Sequence, residues 1–153
     1  MANTYTKIYI QIVFAVRGRH NFIKESFREE LQKYMAGIVT AKKQKLYSIY
    51  CMPDHTHLLV SMNPDISVSK LTGEIKSGSS KFLKDKGFVK SFDWQDGFGA
   101  FSYSKSQAPK VVNYILNQPQ HHKKQVFKEE YIKLLNIFEV DYDEKYLFEF
   151  YDE

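Results

Sequence analysis

The sequence is poor in cysteine, proline and glycine, and it lacks long apolar runs. Its 153 residues include one cysteine, four prolines and seven glycines. A lone thiol, Cys51, cannot form a disulfide within the chain, which favours a reducing compartment. No stretch reaches the roughly 18 consecutive apolar residues of a membrane span, and the amino terminus lacks the apolar core of a signal peptide. We therefore expect a cytoplasmic protein without a membrane partner.

Several sequence motifs are also missing. There is no Gly-x-x-x-x-Gly-Lys-Ser/Thr segment, so a nucleotide-hydrolysing P-loop is not expected. No carboxylates stand out as the acidic triad of a nuclease. Repeats, linkers and low-complexity tracts are absent, while 43% of the residues are hydrophobic and 16% are aromatic. This composition predicts a single domain over residues 1–153.

Charge is distributed unevenly along the chain. The formal net charge is +4, but residues 1–138 hold 21 Lys and Arg against 11 Asp and Glu, whereas residues 139–153 hold 1 against 7. The body of the protein is therefore basic. A basic body fits a polyanionic partner, although a merely solvated cationic surface is the more frequent reason for such a balance.

The hydrophobic periodicity predicts a mixed α+β fold. The order is β-α-β-β-α-β followed by further helices, which is typical of a ferredoxin-like or RRM-like antiparallel sheet. We expect helices to cover one face of this sheet and the other face to be open. The predicted strands lie at 7–16, 45–52 and 55–62, with a strand or loop within 92–103, and the predicted helices lie at 25–43, 67–85, 106–118 and 127–138.

Two histidines open the third of these segments. His55 and His57 are two residues apart in a strand, so their rings share a face, which we place opposite the helices. Two neutral imidazoles on one strand make half of a divalent-metal site. A pair of strand histidines with satisfied hydrogen bonds is the plainer interpretation. Asp54, just before them, is assigned to the turn, with a supporting role for His55 as the less favoured alternative.

A tyrosine and a glutamine occupy one face of a late helix. Tyr114 and Gln118 are four residues apart, a spacing that makes them neighbours on a helix. Pro119 disfavours helical conformation in the residue before it, so the helix is expected to end or kink at Gln118. A tyrosine on an amphipathic helix is usually a core residue, and Tyr114 on its own is therefore a weak signal.

These features together resemble the single-tyrosine HUH transposases, the small enzymes of insertion sequences that move as single-stranded DNA, including the REP-associated tyrosine transposases. The resemblance spans about residues 5–150. It includes the Pro-Asp-His-Thr-His motif at 53–57, the Trp-Gln-Asp-Gly-Phe segment at 94–98 and the Tyr-x-x-x-Gln pair followed by two histidines. The middle residue of the HUH motif is usually hydrophobic and is Thr56 here. Its side chain is expected to face the helices, where the change is harmless.

The resemblance implies a set of roles. Tyr114 would be the nucleophile, and His55, His57 and Gln118 would bind Mg²⁺ or Mn²⁺. The reaction would nick single-stranded DNA and transfer the strand through a 5′-phosphotyrosine at hairpin-marked ends. The partners implied are single-stranded DNA with hairpins and a second copy of the chain, in a homodimer whose composite sites face His55 and His57 of one chain with Tyr114 of the other.

DNA contacts are less sharply indicated, and two other functions stay open. Basic residues near the second helix and near Tyr114 are candidates for phosphate binding, although each alone is more often surface. The first alternative function is a domesticated tyrosine transposase acting on repeated palindromic elements, and the second is a catalytically silent single-stranded nucleic-acid-binding module. If Pro119 displaces Gln118, the two histidines that follow are substitute ligands. The candidate DNA contacts are Lys76, Lys81, Lys105, Lys110, His121 and His122.

Overall fold

Four antiparallel strands form one sheet. The computed structural model describes residues 3–151. Its strands are β1 (Ile8–Ala15), β2 (Lys45–Cys51), β3 (His55–Met62) and β4 (Gly99–Tyr103). The order across the sheet is β2-β3-β1-β4, with every neighbouring pair antiparallel. The α+β class expected from the sequence is confirmed.

Five α-helical segments surround the sheet in the described residues. The first two long helices have nearly the expected bounds, and Ser67 caps the second by accepting a hydrogen bond from the Lys70 amide. The third helix begins at Ala108, two residues later than predicted, with Gln107 immediately before it. Within residues 3–151 no helix is long and apolar enough to cross a membrane. The helices are α1 (Glu25–Ala41), α2 (Val68–Asp85), α3 (Ala108–Leu116), α4 (Gln118–His121) and α5 (Phe127–Ile137).

One face of the sheet packs against α1 and α2, as the alternation in β3 predicts. Thr56 pairs in register with Cys51, whose Sγ lies 3.9 Å from Met35 Sδ on α1. Leu58 is fully buried in the same core. Burial of each such aliphatic side chain contributes about 1.5–3 kcal/mol, so this layer supplies much of the fold's stability.

The opposite face is not open as expected. The apolar stripe of α3 packs on it, where Val111 and Ile115 form a cluster with Leu59 of β3. Helix α5 covers the rest of this face through Phe127, whose ring stacks on the His55 ring with centroids 3.8 Å apart. The face that carries the histidines is therefore a second interior layer, and polar groups there must find partners within the protein.

Candidate metal and tyrosine site

The two histidines of β3 are fully buried and held in fixed orientations. His55 Nδ1 donates to Asp54 Oδ1 at 2.7 Å. Gln11 Nε2 donates to His57 Nδ1 at 2.9 Å. Because the Nδ1 atoms are engaged at the back of each ring, the two Nε2 atoms face a common space. Asp54 therefore supports His55 as well as belonging to the turn. This supporting role was the less favoured of the two expectations for Asp54.

A glutamate that the sequence analysis did not identify lies at the centre of this space. Glu130 of α5 is 2% exposed. Its Oε1 lies 3.2 Å from His57 Nε2 and 3.0 Å from His122 Nε2. The same oxygen lies 3.4 Å from His55 Nε2. The ligand atoms of His55, His122 and Glu130 all lie within 4.8 Å of one another, a cluster that could hold a metal ion.

Gln118 points into the same cluster despite the break in the helix before it. Helix α3 ends at Leu116, and α4 begins at Gln118 with Pro119 in its first turn, where a proline is tolerated. The Gln118 side chain is fully buried, with Oε1 3.1 Å from His55 Nε2. Its Nε2 donates to Glu130 Oε2 at 2.8 Å. The interruption expected from Pro119 is present, and it does not turn Gln118 away.

Tyr114 reaches the site from α3. Its hydroxyl donates a short hydrogen bond to Glu130 Oε2. The ring lies edge-on to His57, with centroids 6.0 Å apart, and His121 stacks on it at 4.5 Å. The structure thus assembles the tyrosine and the histidines from one chain. Helix α3 docks on its own sheet here, and the composite arrangement between two chains stays a prediction.

Burial and hydrogen bonding set the charges in this cluster. Burial alone would lower the pKa of His55, but the carboxylates of Asp54 and Glu130 raise it to about 9. Burial lowers the pKa of His57. Burial alone would raise the pKa of Glu130, yet the surrounding imidazoles hold it well below its ordinary value. Burial and the Glu130 carboxylate raise the pKa of Tyr114. The cluster therefore contains an ionised carboxylate and a protonated phenol at neutral pH.

Two of the lysines proposed to contact DNA have other partners. Lys76 Nζ donates to the carbonyl oxygens of Gln95 at 2.8 Å and Gly97 at 2.6 Å. Lys81 pairs with Asp85 one turn along α2, with nitrogen and oxygen 2.5 Å apart. Both lysines lie on α2, on the side of the sheet away from Tyr114. The structure does not bring them to the site.

The other basic candidates lie at the Tyr114 end of the molecule. Lys105 and Lys110 are exposed around the start of α3. Lys110 lines a cavity of about 280 Å³ together with Tyr103 and Tyr114. His121 stacks on the Tyr114 ring, as described above, so Lys110 and His121 both lie next to the tyrosine.

Comparisons with known proteins agree on one family. The sequence model of the family described as "Transposase IS200 like" matches residues 4–118. The transposases of the insertion sequence element IS200 from Salmonella typhimurium and Salmonella typhi are each 26% identical over 129 residues, which cover 80% of this chain and 84% of theirs.

Two solved structures have a similar fold. One is a protein assigned as a transposase from Deinococcus radiodurans, at 18% identity and a TM-score of 0.61, covering 77% of this chain and 95% of that one. The other is a REP-associated tyrosine transposase bound to a REP hairpin, at 18% identity and a TM-score of 0.59, covering 80% of this chain and 73% of that one. The family match ends at residue 118, so two members of the cluster, His122 and Glu130, lie beyond it.

Proposed function

Because the chain belongs to the family of IS200-like transposases, we propose that it nicks single-stranded DNA and transfers the strand through Tyr114. One observation carries this proposal. The Tyr114 hydroxyl and the Nε2 atoms of His55 and His57 converge on the two oxygens of a single buried carboxylate. A nucleophile and a set of metal-binding groups therefore lie within a few ångströms of each other.

The donor set fits a divalent cation. His55 and His57 supply imidazole nitrogens whose orientation is already fixed, and Gln118 supplies an amide oxygen next to them. Nitrogen and oxygen donors of this kind suit Mn²⁺ and, less strongly, Mg²⁺. When bound, the cation would polarise the scissile phosphate and stabilise negative charge on the leaving oxygen.

Tyr114 supplies the covalent chemistry. Its hydroxyl loses its proton, and the oxygen attacks the phosphorus and forms the phosphotyrosine bond while the bond to the 3′-oxygen breaks. The products are a 5′-phosphotyrosine and a 3′-hydroxyl, which takes up a proton. Attack by a 3′-hydroxyl on the phosphotyrosine reverses the step and reseals DNA without ATP, because the covalent link retains the energy of the broken bond.

The proposed substrate is single-stranded DNA that carries hairpins. A relative of similar fold is bound to a REP hairpin, and the body of this chain is basic. Lys105, Lys110 and His121 are the basic residues best placed to contact phosphates beside Tyr114. A homodimer with composite sites stays a prediction.

A silent binding module is the less favoured function. Stacking surfaces and surface cations suffice to bind a single strand. This chain instead buries His55, His57, Gln118 and Glu130 together, and burying polar and charged groups lowers stability unless they are fully paired. Such a cluster is expected where chemistry requires it. Hairpins flanking the coding sequence would separate a mobile element from a domesticated relative.

A covalent adduct tests the proposal. The purified protein is incubated with Mn²⁺ and hairpin oligonucleotides taken from the DNA flanking its coding sequence, and denaturing gels report the adduct. Tyr114→Phe should abolish the adduct while hairpin binding persists. The control Tyr146→Phe, which removes the hydroxyl of an exposed tyrosine outside the site, should still form it. Adduct formation by Tyr114→Phe, or by the unmodified protein in excess chelator, would overturn the assignment.

A further inference from the structure

The proposed reaction assigns no role to Glu130, although this side chain contacts the histidines, Gln118 and Tyr114. It lies outside the residues that the family model matches. Its two oxygens face different groups. Oε1 is surrounded by the imidazole Nε2 atoms at 3.0–3.4 Å. Oε2 accepts hydrogen bonds from Tyr114 and Gln118.

We propose that Glu130 and His122 are further ligands of the cation, and that Glu130 also positions the Tyr114 hydroxyl. The inference rests on the proposed function only for the identity of the nucleophile. A carboxylate that is 2% exposed is strongly unfavourable unless a positive charge or full hydrogen bonding compensates it. The imidazoles, Tyr114 and Gln118 provide these contacts in the structure, and a divalent cation among the imidazoles would take over the contacts to Oε1.

His122, the residue directly after α4, contributes a third imidazole to this cluster. Its Nε2 lies 3.0 Å from Glu130 Oε1, and its ring centroid is 4.7 Å from that of His55. His122 follows Gln118 by four residues, a helical spacing that places both side chains on one face. Three imidazoles and one carboxylate favour Mn²⁺ over Mg²⁺, since imidazole is a better ligand for Mn²⁺ than for Mg²⁺.

Because its two oxygens have different partners, Glu130 can bind the cation and hold the Tyr114 hydroxyl at the same time. With Oε1 directed to the imidazoles, Oε2 stays on the Tyr114 hydroxyl and fixes its direction. Glu130 is therefore a positioning residue for Tyr114, and the cation and the nucleophile are tied to each other through a single side chain.

Mn²⁺ binding without DNA tests the ligand assignment. Electron paramagnetic resonance of free Mn²⁺ gives the affinity of the unmodified chain and of Glu130→Gln, His122→Gln and Glu129→Gln. Glu129 is exposed on the same helix, so its variant loses the same charge without touching the site. We expect Glu130→Gln to weaken Mn²⁺ binding by at least about tenfold, His122→Gln to weaken it as well, and the control to bind normally.

Unchanged Mn²⁺ affinity in Glu130→Gln would overturn the proposal. Circular dichroism shows whether each variant folds. Should Glu130→Gln fail to fold, Glu130→Asp keeps the charge but withdraws the oxygens, and normal affinity in that variant would be equally decisive. Normal affinity in His122→Gln would remove His122 from the ligand set.

The positioning role has a separate readout. At saturating Mn²⁺, Glu130→Gln should slow single-turnover adduct formation without changing the dissociation constant for the hairpin, and Glu130→Asp should recover part of the rate. An unchanged rate in Glu130→Gln would exclude positioning. The Mn²⁺ measurement needs neither DNA nor Tyr114, so an adduct that survives Tyr114→Phe would refute the proposed nucleophile and leave the ligand assignment standing.

Discussion

At the scale of single residues, Gln11 determines which nitrogen of His57 carries its proton. Tyr103 donates its hydroxyl hydrogen to Gln11 Oε1 at 2.7 Å, and Gln11 Nε2 in turn donates to His57 Nδ1 at 2.9 Å. The proton of His57 is then on Nε2, facing Glu130. Ligation of a metal through Nε2 requires the proton on Nδ1, so the Gln11 amide must reverse and accept instead.

Substitutions of Gln11 should therefore change metal affinity according to their hydrogen-bonding capacity. Gln11→Leu leaves His57 Nδ1 without an acceptor, and we expect Mn²⁺ affinity to fall by about 10–100-fold. Gln11→Glu accepts from Nδ1 in the metal-binding form and should bind Mn²⁺ at least as well as the unmodified chain. Isothermal titration calorimetry measures both. Equal affinities in the two variants would show that Gln11 does not orient His57.

Cys51 gives a second prediction at this scale. The thiol is fully buried, and burial raises its pKa to about 12. The thiolate, which is the reactive form, is therefore scarce in the folded protein at neutral pH. Iodoacetamide should leave Cys51 unmodified in buffer and modify it in denaturing urea, as followed by mass spectrometry. Rapid modification of the folded protein would mean that this part of β2 opens readily.

At the scale of elements, alanine substitutions at two glycines distinguish the effect of close packing from the effect of helix propensity. A Cβ on Gly99 of β4 would lie 2.7 Å from the Tyr131 hydroxyl oxygen, so α5 packs closely there because the side chain is missing. Gly99→Ala should lower the free energy of unfolding by about 1–3 kcal/mol through this overlap. It should also weaken Mn²⁺ binding, since displacing α5 moves Glu130. Urea denaturation and the Mn²⁺ titration measure the two effects.

Gly73 is the matched control. It lies inside α2, and a Cβ there meets no heavy atom within 4 Å. Gly73→Ala should raise the free energy of unfolding by about 0.4–1 kcal/mol, because alanine loses less conformational entropy in a helix. Mn²⁺ binding should be unaffected. If both substitutions destabilised the protein equally, close packing of α5 against Gly99 would not be the cause.

Sequence patterns within single elements predicted part of the site and missed the rest. Alternation in β3 placed His55 and His57 on one face, and Pro119 marked the break before α4, because both effects act between near neighbours. Glu130 was missed, although it lies three residues after Phe127 on the apolar side of α5, where a carboxylate is out of place. Its partner His57 is 73 positions away. Periodicity within one element cannot identify such a contact.

At the scale of the whole molecule, the two layers of helices are connected through the segment around Gln95. Gln95 Nε2 donates to the carbonyls of Val16 and Glu149, and its Oε1 accepts from the Glu149 amide. Next to it, Trp94 Nε1 donates to Ser79 Oγ of α2 at 3.0 Å. The Trp-Gln segment that contributed to the family resemblance thus joins β1, α2 and the residues after α5. The segment therefore links the core on the α2 side of the sheet to the residues that follow α5.

Assembly of the site within one chain makes a prediction for mixtures of inactive variants. Tyr114→Phe lacks the nucleophile and His55→Ala/His57→Ala lacks metal ligands, so each should be inactive alone. Because Tyr114 lies against the histidines of its own chain, neither chain can supply what the other lacks, and a mixture should form no adduct. Native mass spectrometry of the mixture shows whether mixed dimers are present. Recovery of adduct formation when they are present would show that α3 exchanges between chains, as the resemblance had implied.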